Sequence, residues 1–191
     1  MKKNRLEAFS DGVLAIIITI MVLELKVPEG FEFIDLQHLT PKFLSYVLSF
    51  IYLGIYWNNH HHLMHTVIKI TSGILWANMN LLFWLSLIPF TTSWMGEHIN
   101  ECDPMSLYGF NLLMAAISYW ILTNRIIAAD GNDSLLLKAI GKDYKGKISI
   151  FFYLVAIISL QFVAWFAPLL FILVAIIWII PDKRIEKTIE H

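Results

Sequence analysis

Charge is what this sequence has least of. Of 191 residues only 15% are Asp, Glu, Lys or Arg, whereas 58% are Ala, Val, Ile, Leu, Met, Phe, Trp, Tyr or Cys. Soluble domains carry about 25% charged residues, so this chain has too few to cover a water-facing surface. That excludes the ordinary soluble enzyme. Fourteen basic residues against fifteen acidic ones leave a net charge of −1, and no block rich in Lys or Arg appears, so no nucleic acid is expected as partner. The lone cysteine, Cys102, permits no intrachain disulfide. A phosphate-binding glycine loop, a serine nucleophile with a companion base, and paired catalytic carboxylates are all missing, so no enzyme site is visible. Low-complexity linkers and internal repeats are missing too, and a single domain over residues 1–191 is expected.

What is present is apolar length. A hydrocarbon core about 30 Å thick needs roughly 20 helical residues to cross it. Five long apolar stretches and one short one predict an all-α integral membrane bundle of six transmembrane helices, over about 5–27, 41–63, 72–95, 104–128, 146–166 and 168–181. The last two are separated at Phe166-Ala167-Pro168, where proline's fixed φ and missing N–H favour a break. Pro89, followed by Thr91, Thr92 and Ser93, predicts a kink in the third span whose freed carbonyls are satisfied by hydroxyls.

The basic residues set the orientation. Lys2, Lys3, Arg5, Lys69, Arg125, Lys138, Lys142, Lys145, Lys147, Lys183, Arg184 and Lys187 fall on the N-terminal side, and only Lys26 and Lys42 on the other. That asymmetry predicts a multi-pass protein of the cell membrane with both termini cytoplasmic. The opposite face carries Glu24, Glu29, Glu32, Asp35, Glu97, Glu101 and Asp103 and is acidic. Glu7 and Asp11 interrupt the approach to the first apolar run, and Glu24-Leu25-Lys26 has no small-residue cleavage site, which argues against a cleaved secretory signal.

The first span has unusual chemistry. Between Asp11 and Glu24 lie only twelve uncharged residues, too few to cross about 30 Å at 1.5 Å per residue. At least one carboxylate therefore sits at membrane depth, where a charge seldom faces lipid, so Asp11 is expected to point at protein or water. The run Ala15-Ile16-Ile17-Ile18-Thr19-Ile20-Met21-Val22-Leu23 is apolar on every face except at Thr19. Two readings follow. The helix is either the centre of a bundle, packed on all sides, or the wall of a narrow apolar pore. In the second case the stripe bearing the hydroxyl is Gly12, Ile16, Thr19 and Leu23, with Ile20 at its edge. Apolarity does not forbid conduction, because pores gate by dewetting at hydrophobic constrictions.

Arg5-Leu6-Glu7-Ala8-Phe9-Ser10-Asp11 matches the R-x-x-x-F-S-D signature of the transmembrane protein 175 family, the endolysosomal potassium channels and their bacterial relatives. Trp57-Asn58-Asn59-His60 resembles the family's W-x-x-H at the end of the second helix, Asn78 its asparagine in the third, and Pro89-Phe90-Thr91 its proline-aromatic-threonine. The resemblance covers most of the first half of the chain. It implies a potassium-selective cation channel, with potassium as permeant and no cofactor, in which first helices line the pore of a homotetramer held in the bilayer. It further implies a constriction at Ile16, a hydroxyl layer at Thr19 and an apolar layer at Leu23. No T-V-G-Y-G filter occurs, so carbonyl-ring selectivity is not available. Glu24 and the acidic outer loops would then concentrate cations at the mouth.

Arg5, Ser10 and Asp11 are expected to join Trp57, His60 and Asn78 in a buried network that fixes the rotation of the first helix, with Phe9 completing the motif. The alternative function is a proton- or ion-coupled secondary transporter using Asp11 and His60 as a relay. His61 and His65 share a helical face, but His38, His98 and His191 are scattered, so no metal site is expected.

Overall fold

The computed structural model describes residues 3–131, 134–140, 143–163 and 165–179, and among them all regular structure is helical. The order is α1 (Lys3–Leu23), a 3-10 helix (Phe33–Leu39), α2 (Thr40–His65), α3 (Ser72–Ser86), α4 (Ile88–Glu97), α5 (Cys102–Asp130), α6 (Leu135–Ile140), α7 (Tyr144–Ser159) and α8 (Phe166–Ile179). Lys2, Lys142, Lys183, Arg184, Lys187, His191 and the end of the expected sixth span lie outside the described residues.

Among the described residues, four segments are long and apolar enough to cross a membrane: Lys3–Leu23, Phe33–His65, Ser72–Glu97 and Cys102–Asp130. α7 has 16 residues and rises about 24 Å at 1.5 Å per residue, less than the hydrocarbon thickness, and α8 is described over 14 residues up to Ile179. The connection between them lies at Leu160–Phe162, earlier than Pro168 suggests. Pro168 instead occupies the first turn of α8, where its missing N–H costs no intrahelical bond.

α1 lies against α2, α3 and α4, whereas α7 lies against α5 and α8. The core between them is built from Leu53, Leu63, Leu81, Leu85, Tyr108, Leu112 and Leu122. Small side chains let the helices close up. Ser49, fully buried on α2, bonds the Tyr108 hydroxyl at 2.9 Å and accepts from Thr92 Oγ1 at 2.7 Å. At the far end, a Cβ on Gly96 would sit 2.9 Å from the Lys42 backbone, so glycine is what allows α4 to end against α2.

The third span is two helices rather than one, broken at Leu87 just before Pro89. The Thr91 hydroxyl bonds Leu87 O and Ile88 O, each at 3.2 Å, as the Pro-Thr spacing predicts. Thr92 turns away to Ser49. The unforeseen partner is Asn111 of α5. Oriented to satisfy both ends, its carboxamide donates to Trp84 O at 2.9 Å and accepts from Ile88 N at 3.3 Å. In an unbroken helix those two backbone groups would bond each other, so a side chain has entered the ladder and holds it open.

Candidate functional site

α1 has two faces. Leu6, Ser10, Leu14, Ile17 and Met21, spaced by three and four residues, are buried against the rest of the chain. Around the helix from them, Gly12, Ile16, Thr19, Ile20 and Leu23 are exposed, Ile16 at 59% and Leu23 at 78%. The stripe carrying the lone hydroxyl thus lies within the broader face of α1, with Ala8, Phe9, Ala15 and Val22, that this chain leaves uncovered. Thr19 Oγ1 donates to Ile16 O at 2.8 Å. Its proton is committed to the backbone, which leaves the hydroxyl oxygen to act as an acceptor. An open groove runs beside this face between α1 and α4, with Ile16 and Ile20 on one wall, Pro89 and Phe90 on the other, and Glu24 and Glu97 at its end.

A buried chain of hydrogen bonds sets the opposite face. Ser10 Oγ donates to Leu6 O and accepts from Asn78 Nδ2, both at 2.9 Å, and Asn78 Oδ1 meets His60 Nε2 at 2.7 Å. Asn78 and Ser10 are fully buried and His60 nearly so. Helices α1, α3 and α2 are pinned together through one amide. Asp11 takes a different partner. Its Oδ1 accepts from Trp57 Nε1 at 3.1 Å on the exposed side, and Phe9 is also exposed. Asp11 and His60 are held separately, with no hydrogen bond joining them among the described residues. Arg5 is exposed and stands apart from both groups. Five residues of α-helix separate its side chain from Ser10 by about 140°, so the two cannot share a face.

The acidic end holds an ion pair that sequence gave no sign of. Lys42 in the first turn of α2 is 6% exposed, and its ammonium lies 2.7 Å from Glu97 Oε1 at the end of α4, with Lys26 at 3.8 Å. Each charge sits unfavourably on its own helix, a cation at an N-terminus and an anion at a C-terminus, and favourably on its partner's. Glu24, just past α1, is exposed. At the other end the His61 ring stacks on Trp57, with centroids 6.5 Å apart, and meets His65 edge-on.

Residues 5–89 match the family described as Endosomal/lysosomal potassium channel TMEM175. A protein of Chryseobacterium sp. (strain P1-3) named as a potassium channel is 56% identical over 191 residues, covering both chains completely. The chicken protein named as an endosomal/lysosomal proton channel TMEM175 is 34% identical over 123 residues, 56% of this chain and 25% of that one. The crystal structure of a lysosomal potassium-selective channel TMEM175 homolog from Chamaesiphon minutus superposes with a TM-score of 0.78 at 28% identity, covering 94% of this chain and 97% of that one. Full-length identity, the motif-bearing N-terminal half and the shared helical fold together establish that this chain, a membrane protein, belongs to the TMEM175 family of ion channels.

Proposed function

We propose that the chain is one subunit of a potassium-selective channel, a homotetramer whose first helices surround the axis, with six crossings per subunit and both termini cytoplasmic in the cell membrane. The observation that carries this reading is the exposure of Ile16, Thr19 and Leu23 on a helix whose other face is fully used by its own chain. A single helix cannot enclose a path, so closure needs further copies related by rotation about an axis. A ring of Ile16 side chains is then the constriction, shut to water when narrow and conducting when the helices move apart. The larger potassium ion loses its hydration shell at lower cost than sodium in such a ring. The Thr19 oxygens, freed for acceptance by their bond to Ile16 O, receive the partly dehydrated ion one turn away. Glu24 raises the local cation concentration at the mouth.

The names of the bacterial relatives support potassium as the permeant ion, and the fold shared with a potassium-selective channel supports the assembly. The transporter alternative is disfavoured by the separation of Asp11 and His60 onto different partners. Planar-bilayer recording of the purified protein under a potassium/sodium gradient tests the reading. Unitary currents reversing toward the potassium equilibrium potential are expected. Slow, saturable flux without unitary steps would point to a carrier.

A further inference from the structure

One carboxylate oxygen of Glu7, on α1, is buried and bonded to nothing among the described residues. Buried polar atoms in native interiors are nearly always paired, so the exception asks for a reason. Lys3 and Asp11, four residues to either side of Glu7, both reach α2. Lys3 Nζ donates to His65 O at 2.9 Å, and Asp11 Oδ1 accepts from Trp57 Nε1 at 3.1 Å. Lys3, Glu7 and Asp11 recur at four-residue spacing on α1, as Trp57, His61 and His65 do on α2, and the two outer contacts fix an antiparallel register. That register sets Glu7 opposite His61. The two also share a neighbour, since both lie within electrostatic reach of the His60 ring.

His61 is exposed, its ring stacked on Trp57 and meeting His65 edge-on with centroids 4.5 Å apart. An imidazolium at His61 has the face of Trp57 on one side and the unpaired Glu7 oxygen across from it. An imidazolium at His65 would instead stand beside the Lys3 ammonium that its own carbonyl accepts. Lys3, Asp11, His60, His62 and His65 are the titratable groups of α1 and α2 around the pair, with Arg5 turned to the other side of α1 and Lys69 just past α2. α3 and the described residues of α8 carry none, whereas Glu97 of α4 and Asp35 and His38 of the 3-10 helix stand at the opposite end of α2. Glu7 precedes Ile16 by nine residues, two and a half turns, and so lies on the opposite side of α1 from it.

We propose that Glu7 and His61 form a proton-operated clasp between α1 and α2. With His61 protonated, a charge-assisted bond to Glu7 draws the N-terminal end of α1 toward α2 and away from the axis; with His61 neutral, the end is released. The clasp rests on the reading that α1 lines the ion path, where it makes open probability rise as pH falls through histidine's ordinary range. A pair that needs the imidazolium contributes below that range and is lost as pH rises through it.

Melting curves of the purified full-length protein at about pH 6 and about pH 8 test the pair, and bilayer recording at the same symmetrical pH values tests its effect. At the lower pH, E7Q and H61Q are each expected to lower the melting temperature by about 2–4 °C, and E7Q/H61Q by no more than either alone. At the higher pH all three melt with the unaltered protein. H61K, charged at both pH values, keeps its coupling to Glu7 and the raised open probability at the higher pH, which a merely structural histidine would not do. Losses that add, or that are the same at both pH values, overturn the clasp and leave the pore reading untouched. Coupling at the lower pH with an open probability that ignores pH sets α1 apart from the ion path and overturns the gating role with it.

Discussion

Asn78 of α3 donates to Ser10 Oγ of α1 at 2.9 Å inside the protein, and the other end of the same amide is held by His60 of α2. Ser10 lies on the buried stripe of α1, so this bond fixes which stripe is left outward. Asn78→Leu leaves His60 Nε2 unpaired and takes from Ser10 Oγ its donor, while the Ser10 hydroxyl keeps its own bond to Leu6 O, a loss of about 1–3 kcal/mol for the stranded imidazole in a protein interior and nearer 1 kcal/mol inside a membrane bundle. Size-exclusion thermostability of the detergent-solubilised protein should fall. Unchanged stability would show that the bond does not position α1.

The ion pair at the acidic end predicts an asymmetry. Lys42 is 6% exposed and Glu97 sits on a side chain 41% exposed. Glu97→Leu strands a buried ammonium and costs about 1–3 kcal/mol, whereas Lys42→Met leaves a carboxylate that water can reach and costs less than about 1 kcal/mol. Paired melting curves of the two variants check this, and equal losses would mean that burial does not decide the cost.

Gly96→Ala makes a third, independent probe of the same end. The added Cβ would meet backbone at 2.9 Å rather than a flexible side-chain tip. Overpacking of this kind costs roughly 1–3 kcal/mol. Lys42→Ala should not relieve it, because the clash is with the Lys42 backbone, and rescue by Lys42→Ala would contradict the close approach.

At the break in the third span, Asn111→Leu strands Ile88 N and leaves Trp84 O only its long bond from Leu87 N at 3.3 Å, where the amide now bridges the two. Those two groups can bond directly only if the helix closes, which Pro89 resists. Pro89→Ala should therefore recover part of the stability lost in Asn111→Leu, with a coupling of about 0.5–2 kcal/mol in a double-mutant cycle. Additive effects would mean that amide and proline act separately.

These residues show which parts of the molecule were legible in the sequence. The apolar stretches, the break near Pro89 and the position of Ser10, Asn78 and His60 follow from composition, proline chemistry and motif. Asn111 does not, because its role depends on meeting a carbonyl on another helix and no local pattern marks it. Lys42 and Glu97 are 55 positions apart and pair only once α2 and α4 have closed over Gly96. Arg5 was expected in the buried network on motif membership, although helical periodicity alone separates it from Ser10. The 3-10 helix Phe33–Leu39 between the first two spans has no local sign either, and it stands with Phe33 91% exposed and Phe31, just before it, 98% exposed.

Thr19 offers a test of selectivity apart from conduction. Thr19→Val keeps the shape and removes the acceptor oxygen, so potassium-over-sodium selectivity should fall while unitary currents persist, and Thr19→Ser should restore it. The reversal potential under mixed ions reports the change. Selectivity unaffected by Thr19→Val would remove the hydroxyl layer from the account.

The central claim is that the uncovered stripe of α1 lines the ion path with Ile16 at its narrowest point. Single-channel recording of Ile16→Asn beside the unaltered protein, under a potassium/sodium gradient, addresses it most directly. A polar ring at the constriction is expected to raise conductance and move the reversal potential toward sodium. Conductance and reversal potential indistinguishable from the unaltered channel would place the pore elsewhere.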